Sequence, residues 1–230
     1  MSLAEKVLVV IPVKDLKYTK SRLKSILSLL ERQTLTLRIL SRTIEILKSL
    51  VPVRSILVLT PDERVLALAN HWGVLGLKEE GRGLNRALTQ ATRWAVQQKF
   101  KAILVIPCDL PLLSRRDIES IWELSAGEED IAVMAPNADR SGTNALLVKP
   151  PGILRYRFGK NSFSHYQTSV LARQIHFRVY TSPSIEFDLD RPEQCRLAFA
   201  KQYCLEKAID ENKIRPFDPD WGSSPHPAGR

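Results

Sequence analysis

Cysteines and long apolar runs are scarce in this sequence. Its three cysteines, Cys108, Cys195 and Cys204, include no CxxC pair, and that spacing supports neither a disulfide framework nor a zinc site. No apolar run approaches the roughly 20 residues of a membrane helix, and the run before Pro12 is too short for a signal peptide. We therefore expect a reduced, cytoplasmic protein that does not enter a membrane.

Glycine-rich phosphate loops are also absent, since the sequence has neither a Walker A loop nor a GxGxxG turn. The formal net charge is +9, which suits nucleic acid, an anionic membrane surface or small anionic substrates. The charge is spread along the chain, without an RNP-like aromatic pattern, a zinc finger or a basic heptad run. We favour small anions as ligands, while a solvated basic surface and a nucleic-acid partner stay as alternatives.

Strand-like apolar runs alternate with segments of helical periodicity. Predicted strands cover residues 7–12, 54–60, 74–77, 102–107, 131–135, 144–149 and 175–180. Predicted helices cover residues 31–50, 61–71, 85–98, 162–174 and 192–207. One more helix is predicted to begin at Ser114, which forms a capping box with Asp117. This alternation predicts a three-layer α/β fold with a mostly parallel sheet. We expect one domain over residues 1–209 and a proline-rich tail over 210–230, disordered or draped on the surface.

A basic loop follows the first predicted strand and carries Lys14, Lys20, Ser21 and Arg22. Ligands of such sheets bind beyond the carboxyl ends of the strands. The three cations can neutralise a triphosphate, and the hydroxyl and backbone N–H groups can donate hydrogen bonds to it. The alternative is an exposed basic loop that binds nothing.

Three carboxylates follow extended segments. Asp109 ends a strand between Pro107 and Pro111, where a lone carboxylate suits Mg²⁺ bound together with phosphate oxygens. Asp188 and Asp190 are two residues apart on an extended segment and so project to the same side. A turn-forming role for Asp109 and a helix-capping role for Asp190 are the alternatives.

Small polar residues form two further candidate motifs. The turn at 140–142 leads into Thr143 and Asn144, and Gly159 and Ser162 precede a helix whose first N–H groups can bind a phosphate or a carboxylate. An ordinary hairpin turn and a plain serine N-cap are the alternatives.

A third candidate is Gly81-Arg82-Gly83-Leu84-Asn85, where glycine lets the backbone approach a planar base. The side chain of Asn85 offers a paired donor and acceptor to that base. A helix-initiating turn is the alternative.

Taken together, the motifs IPVK…TKSRL, GLN, PCDLPLL, GTNALL, FG…SF and DLDRPE resemble the CofC/FbiD family of 2-phospho-L-lactate or phosphoenolpyruvate guanylyltransferases of coenzyme F-420 synthesis. They run in family order from residue 10 to about residue 200. The resemblance implies a single-domain nucleotidyltransferase fold of the nucleotide-diphospho-sugar transferase type. The related molybdenum-cofactor guanylyltransferases have a glycine-rich LAGG loop where this chain has Pro12-Val13-Lys14.

The resemblance also implies an activity, in which GMP moves from GTP to the phosphate of 2-phospho-L-lactate, phosphoenolpyruvate or 3-phosphoglycerate, and pyrophosphate leaves. It assigns the nucleotide to Pro12, Val13, Lys14, Lys20, Ser21, Arg22, Gly83, Leu84, Asn85 and Pro107. It assigns catalysis to Lys14, Lys20, Arg22 and Asp109, Mg²⁺ to Asp109 with Asp188 or Asp190, and the acid to Thr143, Asn144, Gly159 and Ser162. The next enzyme of the pathway is a candidate partner. Transfer to another acceptor, such as a sugar phosphate or molybdopterin, and a non-catalytic nucleotide-binding module are the alternatives.

Overall fold

The computed structural model describes residues 6–81 and 83–194. Its strands are β1 (Val7–Pro12), β2 (Ile56–Thr60), β3 (Leu75–Lys78), β4 (Ala102–Val105), β5 (Ile131–Pro136), β6 (Thr143–Lys149) and β7 (His176–Val179). Its helices are α1 (Leu29–Lys48), α2 (Glu63–His71), α3 (Leu84–Gln97), α4 (Arg115–Leu124) and α5 (Ser162–Ala172). Each of these elements lies within a few residues of one that the sequence pattern predicts.

In the described part of the chain, seven strands form one sheet in the order β3-β2-β1-β4-β6-β5-β7. Strands β1, β2, β3 and β4 are parallel, and β5 is parallel to β7. Strand β6 pairs antiparallel with both β4 and β5. The sheet is therefore mixed and mostly parallel, as predicted.

Helices cover both faces of this sheet. Side chains of β1 alternate between the two faces: Val7, Val9 and Ile11 pack in one apolar cluster with α1, α2 and α4, whereas Leu8 and Val10 pack in a second cluster with α3 and α5. A strand that is buried on both faces reads as a continuous apolar run. These two clusters confirm the predicted three-layer α/β/α architecture.

Local side-chain caps fix where three of the helices begin. The hydroxyl of Ser28 accepts the N–H of Glu31 while the Glu31 carboxylate accepts the N–H of Ser28, which forms a capping box on α1. The predicted capping box of Ser114 and Asp117 is present on α4. Asp62 caps α2 by accepting two backbone N–H groups.

The chain between β1 and α1 contains a short helical element that the sequence pattern does not predict. A short 3-10 helix, Ser21–Leu23, follows the basic loop, and Lys20 before it has a left-handed backbone with φ of 46°. The α-helix begins only at Leu29, because Ser28 supplies its cap. The predicted helix at 192–207 is described only at 192–194, and the predicted tail lies outside the described residues. None of the helices in the described ranges is long and apolar enough to span a bilayer.

Candidate active site at the carboxyl edge of the sheet

The strand directions bring distant parts of the sequence to one edge of the sheet. Strands β1 and β4 are parallel neighbours, so the segments that follow them leave at the same edge. Because β6 runs antiparallel to β4, its first residues, Thr143 and Asn144, lie at that edge too. The topology thus collects the basic loop, Asp109 and Thr143 around the ends of three adjacent strands.

Buried hydrogen bonds hold the basic loop against the fold. The N–H of Val13 donates to the carbonyl of Leu59 over 2.8 Å, and the N–H of Leu16 donates to the Asp62 carboxylate over 2.9 Å. The guanidinium of Arg32 donates to the carbonyl of Thr19 over 2.7 Å. The loop is therefore fixed at both ends of its path. Sequence reasoning missed Asp62 and Arg32, because their partners lie outside any local motif.

The predicted phosphate-binding side chains divide into exposed and enclosed ones. Lys14, Ser21 and Arg22 are exposed, whereas Val13 is buried and can offer only its backbone. The side chain of Lys20 is 4% exposed, and its Nζ lies 4.0 Å from Oδ1 of Asp190. Arg22 donates from Nη1 to Oδ2 of the same carboxylate over 2.8 Å. Two of the predicted phosphate-binding cations, Lys20 and Arg22, thus pair with one of the predicted metal-binding acids, Asp190.

Asp109 lies in this charge cluster, four residues after the end of β4 and two after the half-buried Pro107. Burial raises the pKa of Asp109 to about 6, the charges of Asp190 and Asp188 push it in the same direction, and those of Lys20 and Lys14 oppose the shift. Its Oδ1 is buried and has no hydrogen-bond partner among the described residues. Such an atom is rare in folded proteins and calls for an explanation. A bound cation would supply the missing partner of this oxygen.

Asp188 and Asp190 reach Asp109 along the extended segment that follows β7. The backbone N–H of Leu189, between them, donates to the carbonyl of Asp109 over 2.9 Å. Asp188 accepts a hydrogen bond from Nε2 of Gln194, and burial raises its pKa. Within the described ranges, no group of three or more His, Cys, Asp or Glu side chains is arranged to hold a metal ion. The three acids are therefore adjacent without forming a ready-made three-carboxylate site.

Asp190 has a different role from the helix cap that was one reading of the sequence. Its carboxylate pairs with Arg22 and lies near Lys20. The backbone N–H groups of Asp190 and Arg191 donate to Oε1 of Gln194 instead, over 3.0 and 2.8 Å. A glutamine side chain that reaches back in this way satisfies the N–H groups at the helix start.

Two of the predicted acid-binding residues touch each other. Thr143 and Ser162 are both buried, and their hydroxyls form a hydrogen bond of 2.8 Å. Ser162 is the first residue of α5, where backbone N–H groups have no partner in the helix. Gly159, just before it, has a φ of +125°, which L side chains rarely adopt. The fold therefore joins the Thr143 turn to the start of α5.

Asn144, predicted to bind the acid, is buried and donates a hydrogen bond to the backbone. Its Nδ2 donates to the carbonyl of Ile185 over 2.7 Å, across 41 residues of sequence. The amide therefore satisfies a buried carbonyl in the segment that leads to Asp188. This link is one role of Asn144 in the described residues, and its contact with the acid stays a prediction.

Asn85, predicted to bind guanosine, also bonds to the backbone. Its Oδ1 accepts the N–H of Phe158 over 2.8 Å, and its Nδ2 donates to the carbonyl of Phe158 over 3.2 Å. Both polar groups of the side chain are used in this pair, which fixes the chain just before Gly159. Gly83 precedes α3 with a φ of +104° and is exposed, while Leu84 packs partly against the core. The backbone at Gly83 thus stays accessible to a ligand.

The chain matches the family described as guanylyl transferase CofC like over residues 7–199. It is 43% identical over 187 residues to the phosphoenolpyruvate guanylyltransferase of Rubrobacter xylanophilus, covering 81% of this chain and 90% of the relative. It is 31% identical over 189 residues to the 3-phospho-D-glycerate guanylyltransferase of Colwellia psychrerythraea, covering 82% and 89%. It is 31% identical over 194 residues to the 2-phospho-L-lactate guanylyltransferase of Methanocaldococcus jannaschii, covering 84% and 82%.

Solved structures of low sequence identity share the fold. A nucleotidyl transferase from Methanothermobacter superposes with a TM-score of 0.63 at 14% identity, covering 88% of this chain and 99% of the other. This likeness confirms the nucleotidyltransferase type of fold that the motifs predicted. The match over residues 7–199 and the 43% identical relative establish that the chain belongs to the family of CofC-like guanylyl transferases.

Proposed function

We propose that the protein transfers GMP from GTP to the phosphate of a small phosphorylated carboxylic acid and releases pyrophosphate. The observation that carries the proposal is the cluster of Lys20, Asp109 and the Asp188–Asp190 segment. It lies at the same sheet edge as the Thr143–Ser162 pair, in a chain of this family. Relatives act on phosphoenolpyruvate, 3-phospho-D-glycerate and 2-phospho-L-lactate, and these share a phosphate and a carboxylate.

Charge pairing supports the nucleotide half of the proposal. Lys14, Lys20 and Arg22 supply three cations beside the end of β1, and GTP brings a triphosphate of matching charge. Arg22 and Lys20 now face Asp190, so nucleotide binding would exchange a carboxylate partner for phosphate oxygens. Charge-assisted hydrogen bonds of this kind are the strong ones. The exposed backbone at Gly83 would face the base.

Mg²⁺ fits two of the acids. It takes one or two carboxylates together with phosphate oxygens and water, and the unpartnered Oδ1 of Asp109 is suited to be the first ligand. Asp188 or Asp190 would be the second ligand: Asp188 accepts a hydrogen bond from Gln194, and Asp190 faces Arg22 and Lys20 until the nucleotide takes these cations. When bound, the ion would supply charge neutralisation at the transferring phosphate.

The reaction needs no general base. A phosphate oxygen of the acid would attack the α-phosphorus of GTP in line; the new P–O bond forms as the bond to the leaving pyrophosphate breaks. The attacking oxygen is already anionic near neutral pH, so no proton has to be removed. The chain's task is to hold two anions together, with one hydroxyl of the Thr143–Ser162 pair donating to the acid and the other donating to its partner, and with the cations binding the nucleotide.

The test is pyrophosphate release from GTP and Mg²⁺ with each of the three acids in parallel, against a control without acceptor. Release with one acid and not with the control would establish guanylyl transfer and name the substrate. GTP binding without release under any of the three acids would refute the proposal and favour another acceptor or a binding module. A role in coenzyme F-420 synthesis, a contact with the next enzyme and a cytoplasmic location stay predictions.

A further inference from the structure

The segment of residues 180–190, which we call the acidic strap, carries Asp188 and Asp190 from the end of β7 to the active site. It has little regular structure of its own. Its far end is tied by the Leu189 N–H to the carbonyl of Asp109, and its middle is tied by Asn144 to the carbonyl of Ile185. Its near end, at residues 180–184, is tied by a third contact, to α4. Neither the cap of α4 nor the proposed reaction requires this contact.

That third contact is the buried carboxylate of Asp117, in the first turn of α4. Asp117 is 1% exposed. Its Oδ1 accepts hydrogen bonds from the Tyr180 hydroxyl over 2.9 Å and from the Ser182 hydroxyl over 2.5 Å. The Ser184 hydroxyl lies 2.9 and 2.8 Å from Oδ1 and Oδ2. Three hydroxyls of the strap thus converge on one carboxylate.

The cap of α4 uses one oxygen of Asp117, while the strap contacts both oxygens. Oδ2 accepts the backbone N–H of Ser114 over 2.7 Å and its hydroxyl over 2.6 Å, which is the capping box of α4. A capping box requires only this oxygen. Oδ1 has no contact with α4 among the hydrogen bonds of the described residues; its donors come from residues 180–184. The cap therefore leaves the Oδ1 contacts unexplained.

We infer that Asp117 is a positioning residue, which fastens the acidic strap to α4 and so holds the Asp188–Asp190 carboxylates toward Asp109. This inference rests on the proposed function. Burial would by itself raise the pKa of Asp117, but hydrogen bonds from Ser114, Ser182 and Ser184 outweigh it and lower the pKa. The carboxylate is therefore charged at neutral pH, and charged acceptors make the stronger hydrogen bonds.

The experiment separates the contacts of Asp117 with the acidic strap from its contacts in the cap of α4. A double variant, Ser182→Ala with Ser184→Ala, removes two strap donors and leaves the capping box intact. The matched control, Ser114→Ala, removes the cap hydroxyl and leaves the strap donors intact. Each protein is examined by hydrogen exchange of the backbone amides of residues 186–190 and by titration with Mn²⁺ in the presence of GTP and the absence of acceptor. Ile185 is left out of the exchange readout, because its N–H donates to the Ser182 hydroxyl that the double variant removes.

For the double variant we expect faster exchange at 186–190 and about tenfold weaker Mn²⁺ binding, because partners that orient ligands typically contribute 10- to 100-fold to metal affinity. A Ser184→Thr variant, which keeps the hydroxyl, should retain wild-type values. Ser114→Ala should lower the melting temperature and leave both readouts unchanged. Equal readouts for the double variant and the wild type, or equal losses in the Ser114→Ala control, would overturn the inference.

Pyrophosphate release, measured on the same proteins, keeps this inference distinct from the proposed function. If the wild-type protein releases no pyrophosphate with any acid, the proposed function fails, while the exchange data still show whether Asp117 holds the strap. If the wild type is active and the double variant needs no more Mg²⁺ for half-maximal turnover, the inference fails and the proposed function stands.

Discussion

Replacing Asp109 by asparagine should make the metal-free protein more stable while removing its turnover. The carboxylate is held where its charge is disfavoured, since burial together with Asp188 and Asp190 raises its pKa. Asparagine has nearly the same shape and no charge, so it removes the electrostatic cost and also removes a metal ligand. A residue kept for function at the expense of stability gives this pair of effects.

The size of the gain follows from the pKa. It rises from an ordinary value of 3.8 to about 6, and each pKa unit corresponds to about 1.4 kcal/mol, so the charged form costs up to about 3 kcal/mol. Because the folded pKa lies above the unfolded one, this cost is absent below the unfolded pKa and complete above the folded one. The Asp109→Asn gain should therefore be largest at pH 8, roughly half as large at pH 5, and close to zero near pH 4.

The assay is urea and thermal unfolding of both proteins in EDTA at pH 5 and pH 8. A gain of about 3 kcal/mol corresponds to on the order of 6 °C or more in melting temperature for a chain of this size. Asp117→Asn is the matched control of opposite sign, because the pKa of Asp117 is lowered. That variant should lose stability at pH 8, and the loss should shrink as the pH falls through the folded pKa of Asp117.

Turnover gives the second half of the prediction. We expect Asp109→Asn to lower kcat about 100-fold or more with Mg²⁺ present, since a metal at a transferring phosphate contributes several kcal/mol. An Asp109→Asn protein that is no more stable than the wild type at pH 8, or whose advantage is equal at the two pH values, would refute the electrostatic reasoning. Near-normal kcat would refute the metal role.

Three further predictions test the acid site, the phosphate site and the fold separately. Thr143→Val should raise KM for the acid about tenfold, because a hydrogen bond to a charged group is lost, and leave KM for GTP unchanged; equal changes in both would contradict an acid-binding role. Lys20→Met should lower kcat/KM for GTP about 100-fold, as expected for an enclosed cation beside phosphates, whereas the exposed neighbour variant Lys24→Met should match the wild type in the same steady-state assay. Ser28→Ala should lower the free energy of unfolding in urea by about 1 kcal/mol through loss of the α1 cap with kcat unchanged, and a loss of kcat instead would link the cap to the site.

The fold could be predicted from the sequence because its signals are local. An apolar run such as β1, buried on both faces, is readable without knowing its neighbours, and Ser114 with Asp117 marks a helix start within four residues. The strand order was not readable, nor was the antiparallel direction of β6. Both depend on pairings such as Leu104 with Leu147, which lie far apart in the sequence.

The candidate site was predictable where the chemistry needs charge. Asp109, Lys20 and the Asp188–Asp190 pair converge as their residue types suggested. The side chains that hold the site were not predictable, because their partners are distant: Asp62 bonds to Leu16 across 46 residues, and Asp117 to Ser184 across 67. The Ser114–Asp117 capping box does not indicate that the Asp117 carboxylate also accepts hydrogen bonds from residues 180–184.

The backbone hydrogen bonds of Asn85 and Asn144, which the sequence did not predict, have a common physical cause. Segments that leave the edge of a sheet carry backbone N–H and C=O groups which no ladder satisfies, and a buried group left unpaired costs about 1–3 kcal/mol. A neutral amide can satisfy a carbonyl or an N–H at little desolvation cost, whereas a carboxylate or an ammonium pays more to be buried. In this chain the amides accordingly bond to Phe158 and Ile185; among the charged side chains, Asp62 and Arg32 also bond to the backbone. An asparagine at such an edge is therefore better assigned first to the backbone of a neighbouring segment, and to a ligand only when its backbone partners are excluded.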